Sequence, residues 1–376
     1  MKKTTKRVLA AMLVLTMALG LAACAAPAAA PAAAPAAEAA APAAEAAAPA
    51  AEAPKAEAAP AAEAPKAEAA PAAAGSKGKI GFSLAAVSST FNEGLRDGCI
   101  AEIEALGYEA VSVCADGDTT LQASQIEDLV AQGCLGVVVF ANDTDAIEES
   151  AKYCQEKGVK FVEASRISPN LDNVDIAYGF DNKDQAIICA DDIMAGCKAV
   201  GYDDIKVIEF VGSLTDQNAI ERQQFFNDYA KEKGITVTQE VLTEWDSELA
   251  YTRFKDAITA CGGDYNAIYA ASDFLFTTIM SVLSENGQWV QPGEDGYKVI
   301  TGIDGAPDAV EVVREGYVYS VCNTDVMWLG KAAADGIVDA IENGTTYSGD
   351  DKVIMVAPAS ITKANCDDPT IWGNNY

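Results

Sequence analysis

The 376-residue chain contains no histidine. That removes the commonest general base and the commonest zinc ligand. It also leaves the many Ser, Cys and acidic residues without a nucleophile–base pair of the usual kind. No glycine-rich phosphate loop is present. Cations are few: 26 Lys and Arg stand against 56 Asp and Glu, for a formal charge of −30. That balance argues against nucleic acid or an anionic membrane face as partner. It says little about a small ligand, because a cleft can be locally basic. The ten cysteines occur singly, with no CxxC pair, and most fall in apolar runs, as buried free thiols do. Their connectivity, if any, is not readable from sequence. Asp116 to Glu127 has the ligand spacing of a calcium loop, but Leu121 stands where the sharp turn demands glycine. No enzymatic activity, metal or other cofactor is expected.

What is present begins with a basic start, Lys2, Lys3, Lys6 and Arg7, followed by an apolar run over 8–20 that is too short to span a bilayer stably. Leu21-Ala22-Ala23-Cys24 follows and resembles a bacterial lipobox. The resemblance implies cleavage before Cys24, lipid on that cysteine, and a membrane anchor. Residues 25–74 are almost wholly Ala, Pro, Glu and Lys, with the unit EAPKAEAAPAA starting at Glu52 and again at Glu63. Frequent proline prevents a stable helix and no large apolar side chain is available to bury. This is a tether, able to reach about 160 Å for roughly 50 extended residues. The expected division is signal peptide 1–23, lipidated Cys and tether 24–77, and a folded remainder sized for two domains.

The folded part alternates strand and helix. Strands are expected at 79–85, 108–114, 135–140, 160–164 and 174–179, with helices at 91–105, 119–132 and 145–157. Thr119 and Gln122 stand at capping-box spacing. A second series has helices at 184–199, 219–233, 247–261 and 274–286, and strands at 206–211, 235–242, 266–271, 299–303 and 318–322. A helix at 327–343 and a strand at 353–357 close the order. The strands are continuous apolar runs, as strands covered on both faces should be. Two such series mean two doubly wound, parallel-sheet α/β domains with a cleft between them. At 299–310, VITGIDGAPDAV, a strand runs into a tight turn and a helix with Pro307 in its first turn. Asp304 therefore sits on the carboxyl rim of a strand, where ligands bind in open α/β sheets. Its other role would be to cap the helix.

Several stretches taken in order resemble the ribose-type sugar-binding proteins. They are 80–85, Phe91 opening NEGLRDG, ALGYEAV, QIEDLVAQGCLGVVV, Arg166, FDN at 180–182, AIER at 219–222, Trp245-Asp246, Ser272-Asp273 and GIDGAPDAV. The resemblance covers most of the folded part. It implies the type I periplasmic-binding-protein fold, with a three-strand hinge joining a first domain of 78–180 plus 325–351 to a second of 181–324 plus 352–376. It further implies a monomer that captures a small ligand, such as a sugar, and hands it to the permease of an ABC importer.

The same resemblance implies site residues. Phe91, with Asn92 beside it, and Trp245 would pack on opposite faces of a sugar. Arg166 and Arg222 would grip hydroxyls from opposite domains. Asp304 would accept from hydroxyls. Ser272, Asp273 and Thr324 would complete the set, Thr324 near a family glutamine at the last crossover. Ser165, Phe140 and Ser272 depart from the family pattern by shortening or losing a polar group, so a deoxy, larger or non-sugar ligand is compatible. Alternatives in function are a sensor of the same fold signalling to a membrane receptor, and a binder of a nucleoside or autoinducer. The tail 367–376, DDPTIWGNNY, is unplaced, beyond an expectation that Trp372 docks on the surface.

Overall fold

The computed structural model describes residues 75–376. The expected signal peptide, Cys24 and nearly all of the tether lie outside the described residues. In order along the chain, β1 (Lys79–Leu84), α1 (Thr90–Ala105), β2 (Glu109–Cys114), α2 (Thr119–Ala131), β3 (Cys134–Phe140), α3 (Ile147–Lys157), β4 (Lys160–Ala164) and β5 (Ile176–Phe180) come first. Next are α4 (Asn182–Val200), β6 (Lys206–Val211), α5 (Gln217–Lys233), β7 (Thr236–Leu242), α6 (Ser247–Ala260), β8 (Ala267–Ala270), α7 (Phe276–Glu285), β9 (Val299–Asp304), α8 (Pro307–Glu315) and β10 (Ser320–Asn323). The chain ends with α9 (Val326–Glu342), β11 (Val353–Val356) and β12 (Ala359–Thr362).

Two six-stranded sheets result, ordered β11-β5-β4-β3-β1-β2 and β12-β10-β9-β8-β6-β7. Every pairing is parallel except β10 with β12. Central strands such as β3, CLGVVVF, are buried nearly throughout. The edge strands β2 and β7 carry Ser, Thr, Gln and Glu and stay partly exposed, as strands with one uncovered side do. In the first half, α1 and α9 pack on one sheet face with Ile80, Phe82 and Val162, while α2 and α3 cover the other with Val137, Val139 and Phe161. In the second half, α6, α7 and α8 share a core with Phe210 and Ile300, and α4 and α5 share one with Val207 and Tyr269.

Six helices start on a side-chain cap: Ser89, Asp118, Asp181, Asp216, Asp246 and Asp325 each accept from a first-turn amide. Each such cap is worth about 1 kcal/mol. For α2 the cap is Asp118, not the Thr119–Gln122 box expected from spacing. Gln122 turns inward instead: its Nε2 donates to the Phe140 carbonyl at 2.9 Å and its Oε1 accepts from Asn142 N at 2.8 Å. Asp118 accepts from Thr120 and Leu121 amides, so the calcium-like stretch uses this carboxylate as a helix start.

The last crossover also differs from expectation. Residues 353–356 form β11 on β5 of the first sheet, not part of the second half. The chain returns to the second sheet only at β12, a short strand that its ASIT sequence did not signal. Trp372, expected on the surface, is 3% exposed. All nine cysteines in the described residues are free, seven of them buried. Burial pushes Cys134 up to about 11 and Cys154 and Cys197 up to about 12, which keeps these thiols protonated and unreactive.

Two carboxyls lie inside the sheets. Glu209 on β6 accepts from Asn227 Nδ2 at 2.7 Å, and its Oε1 has no partner among the described residues. Glu163 on β4 accepts from the Ser168 amide at 2.8 Å and from the Ser168 hydroxyl. Burial raises Glu209 to about 8 and Glu163 to about 7. Both folded values exceed the ordinary carboxylate value, so the folded state holds more protons than the unfolded one between the two. Stability from these groups is therefore fully present below about pH 4.5 and is lost as pH rises through 7 to 8. Thermal melting from pH 5 to 8.5 should show a falling midpoint, with a shallower fall in Glu209→Gln. Equal slopes in the two proteins would assign the dependence to other groups.

Candidate functional site

The carboxyl ends of the parallel strands of both sheets face a common cleft. Ser88, Ser89, Phe91 and Asn92 follow β1, Phe140 ends β3, and Ser165 and Arg166 follow β4. From the other half come Asp216 and Asn218 after β6, Arg222 on α5, Trp245 after β7, Ser272 and Phe274 after β8, and Asp304 at the end of β9. These side chains enclose a cavity of about 40 Å³, room for only a few waters. It widens toward Met280, Trp289 and Val312 into an outer space of about 510 Å³ that shares Ser88, Ser89, Phe91 and Phe274.

Asp216 joins the two halves. Its Oδ1 accepts from Asn218 N at 3.0 Å as the α5 cap, and its Oδ2 accepts from Trp245 Nε1 at 3.0 Å and forms an ion pair with Arg166 Nε at 2.8 Å. Arg166 comes from the opposite half. Its Nη1 donates to the Ala141 carbonyl at 2.8 Å, and its guanidinium lies 4.5 Å from the Phe140 ring centroid. Phe140 thus serves as the platform on which Arg166 stacks, a role that the reading of a lost polar group did not contain. Asn218 Nδ2 donates to the Ser165 carbonyl at 3.0 Å, and Thr144 N to the Thr215 carbonyl at 3.3 Å, so neutral hydrogen bonds cross beside the ion pair. Ser165 holds φ of 71°, a left-handed turn that aims its carbonyl across the cleft. Burial works against the charge of Arg166, and the Asp216 carboxylate works for it.

Arg222 is held from behind. Its Nε donates to Asn182 Oδ1 and Gln185 Oε1, both at 3.0 Å, and its Nη1 donates to the Ala271 carbonyl at 2.8 Å. Its Nη2 makes no hydrogen bond among the described residues and is available to a ligand. Asp304 is 3% exposed and accepts from the Ser272 hydroxyl at Oδ2. Burial raises its carboxyl to about 6, against the pull of Arg222 and Ser272. It does not cap α8, which has no side-chain cap. Asp273 takes that place from the neighbouring strand end, accepting from Gly305 N at 2.7 Å and Ala306 N at 2.8 Å.

Aromatic rings close the cleft from both sides. Phe91 meets Phe140 at 6.4 Å and Phe180 at 6.0 Å, while Trp245 meets Phe274 at 6.2 Å. Trp245 and Glu244 sit at φ of 58° and 52°, positions that cost energy for such residues. The indole lies directly on Gly212, where an added Cβ would stand 2.0 Å from Trp245 Cζ2. Only glycine leaves room for the ring there.

Seven of the nine expected ligand residues line the cavity: Phe91, Asn92, Arg166, Arg222, Trp245, Ser272 and Asp304. Asn92 directs its amide to the Ala86 carbonyl at 2.8 Å and Ser88 Oγ at 3.0 Å, so it shapes the β1–α1 loop. Thr324 does not line the cavity, contrary to expectation, and Asp273 is absent from its inner part but lines the outer space. Asp273 is spent on the turn amides. Thr324 is fully buried behind the site, accepting from Gln185 Nε2 at 3.2 Å, and Gln185 in turn accepts from Arg222. Asp216, Asn218 and Phe274 were missed. The run Asp216-Gln217-Asn218 is a helix-start signal that, extended two residues ahead of the expected helix at 219, would have brought Asp216 to the strand rim. Among the described residues, no group of three His, Cys, Asp or Glu side chains converges as metal ligands would.

The arrangement suits a small polyhydroxylated molecule. Free guanidinium N–H groups donate, buried carboxylates accept, and aromatic faces cover C–H surfaces.

Comparison with known proteins agrees. The chain is 26% identical over 332 residues to the multiple sugar-binding periplasmic receptor of Rhizobium radiobacter, covering 80% of this chain and 91% of that protein. It is 25% identical over 291 residues to the xylitol-binding protein of Mycolicibacterium smegmatis, covering 77% and 78%. The structure of an ABC transporter solute-binding protein from Bacillus halodurans with bound myo-inositol shares the fold, with a TM-score of 0.70, 18% identity, and coverage of 80% of this chain and 99% of that one. The periplasmic binding protein domain matches residues 80–346. With that span matched on a two-sheet body whose strand ends meet at one cleft, the chain belongs to the periplasmic binding protein family, whose members bind solutes and are not enzymes.

Proposed function

We propose that this protein captures a sugar or polyol between its two halves outside the cytoplasm and delivers it to an ABC importer, while a lipid on Cys24 and the following tether hold it at the membrane. One observation carries the reading: Arg166, Arg222, Asp216 and Asp304 converge from both halves on one cavity bounded by Phe91 and Trp245. Names among the relatives, multiple sugar-binding and xylitol-binding, support a polyhydroxylated ligand. Entry of a sugar to the inner cavity would part the halves and exchange the Arg166–Asp216 ion pair for hydroxyl contacts. A ligand touching both halves then favours their closure.

A thermal-shift panel of the described domain against pentoses, hexoses, xylitol, myo-inositol, nucleosides and amino acids tests the class. A ligand at 100 times its dissociation constant adds about 2.7 kcal/mol of stability. Stabilisation confined to nucleosides or amino acids would overturn the sugar reading and keep the solute-binding one.

With the best hit, Asp304→Ala and Arg166→Ala should each weaken binding by roughly 30-fold or more, the ~2 kcal/mol or greater loss typical of truncating a buried charged partner. Both should retain cooperative unfolding. Unchanged affinity in both would remove the site. Because Asp304 titrates near 6, affinity should fall as pH drops from 7.5 to 5 and its acceptor is protonated. In Asp304→Asn that slope should vanish.

For the anchor, labelling cells with a palmitate analogue should mark the mature chain that begins at Cys24, and that chain should be found in the membrane fraction. Cys24→Ser should lose both label and membrane association, and an unlabelled wild type would rule the anchor out.

A further inference from the structure

The tail beyond β12 touches the one backbone segment that aims Asp304. That residue has φ of 119°, far from where L side chains normally rest. Its carbonyl accepts two hydrogen bonds, from Thr324 N at 2.9 Å and from Trp372 Nε1 at 2.8 Å. The next carbonyl, of Gly305, is packed so closely on Gly373 that an added Cβ there would stand 2.3 Å from the oxygen. With Asp273 holding the amides of Gly305 and Ala306, the turn is fixed by a carboxylate on its N–H side and by the tail on its carbonyl side.

The tail is tied to both halves. On the second half, Arg314 of α8 donates from Nε to Asp367 at 2.8 Å and from Nη2 to Asn374 Oδ1 at 2.9 Å. On the first half, the Trp372 indole belongs to the core that contains Leu95 and Val326, and it lies beside Gly94 of α1. The Tyr376 hydroxyl donates to Asp97 Oδ2 of α1 at 3.3 Å, and its ring meets Trp372 edge-on at 5.9 Å. The first turn of α1 carries Phe91 and Asn92. A single buried side chain therefore connects the helix that presents one wall of the cleft to the backbone that presents the carboxylate on the other.

We infer that the C-terminal segment is a strap across the two halves and that Trp372 is a positioning residue for Asp304, coupling the setting of that carboxylate to the closure of the cleft. Trp372 itself does not reach the cavity and acts through the Asp304 carbonyl. The inference rests on the reading of Asp304 as a ligand contact only for its affinity consequences. Its structural content stands on the turn alone.

The test uses the full chain with two variants. Trp372→Phe keeps a ring in the core and removes the N–H. Gly373→Ala keeps the indole and pushes a methyl against the Gly305 carbonyl. Amide hydrogen exchange, which needs no ligand, should accelerate about tenfold or more at Gly305 and Ala306 in Trp372→Phe, with the strands of both sheets unchanged. Unchanged exchange at 305–306 in both variants would overturn the strap.

Affinity is read with D-ribose and xylitol as probes. Both variants should bind about tenfold more weakly than wild type. The midpoint of the pH dependence should fall from near 6 toward the ordinary carboxylate range, because a loosened Asp304 is better hydrated while still facing Arg222, Asp216 and Asp273. A loss of stability alone, with the midpoint and the exchange at 305–306 unmoved, would make Trp372 a packing residue and refute the positioning role. If neither probe binds wild type, the exchange result alone decides the strap, and the sugar reading is decided separately by the thermal-shift panel.

Discussion

The carboxylate of Asp216 is the point on which the cleft depends. It accepts two hydrogen bonds, from the first turn of α5 and from the Trp245 indole, and forms an ion pair with Arg166 of the opposite half. A buried carboxylate is costly unless each oxygen is paired. Here each partner is also a part of the site, so pairing the charge simultaneously starts a helix, orients an aromatic wall and holds the halves in contact. Arg166 is similarly over-determined, stacked on Phe140 and bonded to the Ala141 carbonyl. A ligand that displaces the Arg166–Asp216 bond must offer hydroxyls to both ends.

Around the inner cavity lies a second layer of hydrogen-bonded groups. Thr324, Gln185 and Asn182 form a chain of hydrogen bonds that fixes the Arg222 guanidinium. Asp273 fixes the amides of the turn after β9, and Trp372 its carbonyl. Asn182 and Thr324 stand next to the points where the chain passes between the sheets. The groups that hold Arg222 and Asp304 are thus close to the crossings between the two sheets.

The chain as read without coordinates already contained the architecture. Continuous apolar runs of about six residues, separated by amphipathic helices, allow little but doubly covered parallel strands, and the helix starts were written in Asp and Ser residues whose chemistry is local. Position on a strand rim was enough to single out Asp304, because period and turn signals alone say which residue ends that strand, whereas Arg166 and Trp245 came from the family resemblance. The resemblance to ribose-type binding proteins supplied Phe91, Asn92 and Arg222, and the family match over 80–346 agrees with it. The short antiparallel β12 escaped notice because four residues, ASIT, carry no period to read.

Sequence therefore determined which segments become strands and helices, and which side chains stand at the strand ends, since both follow from neighbours within a few residues. Only the tertiary structure decided what each of those side chains does. Asp273 turned to backbone amides, Thr324 to a residue 139 positions away, Phe140 to Arg166, and Trp372 from an expected surface position into the core beside Asp304. Each choice depends on a partner brought close by the packing of one sheet against another element. The physical reason is that a buried polar group takes whichever partner the packing presents, and sequence spacing does not encode that proximity.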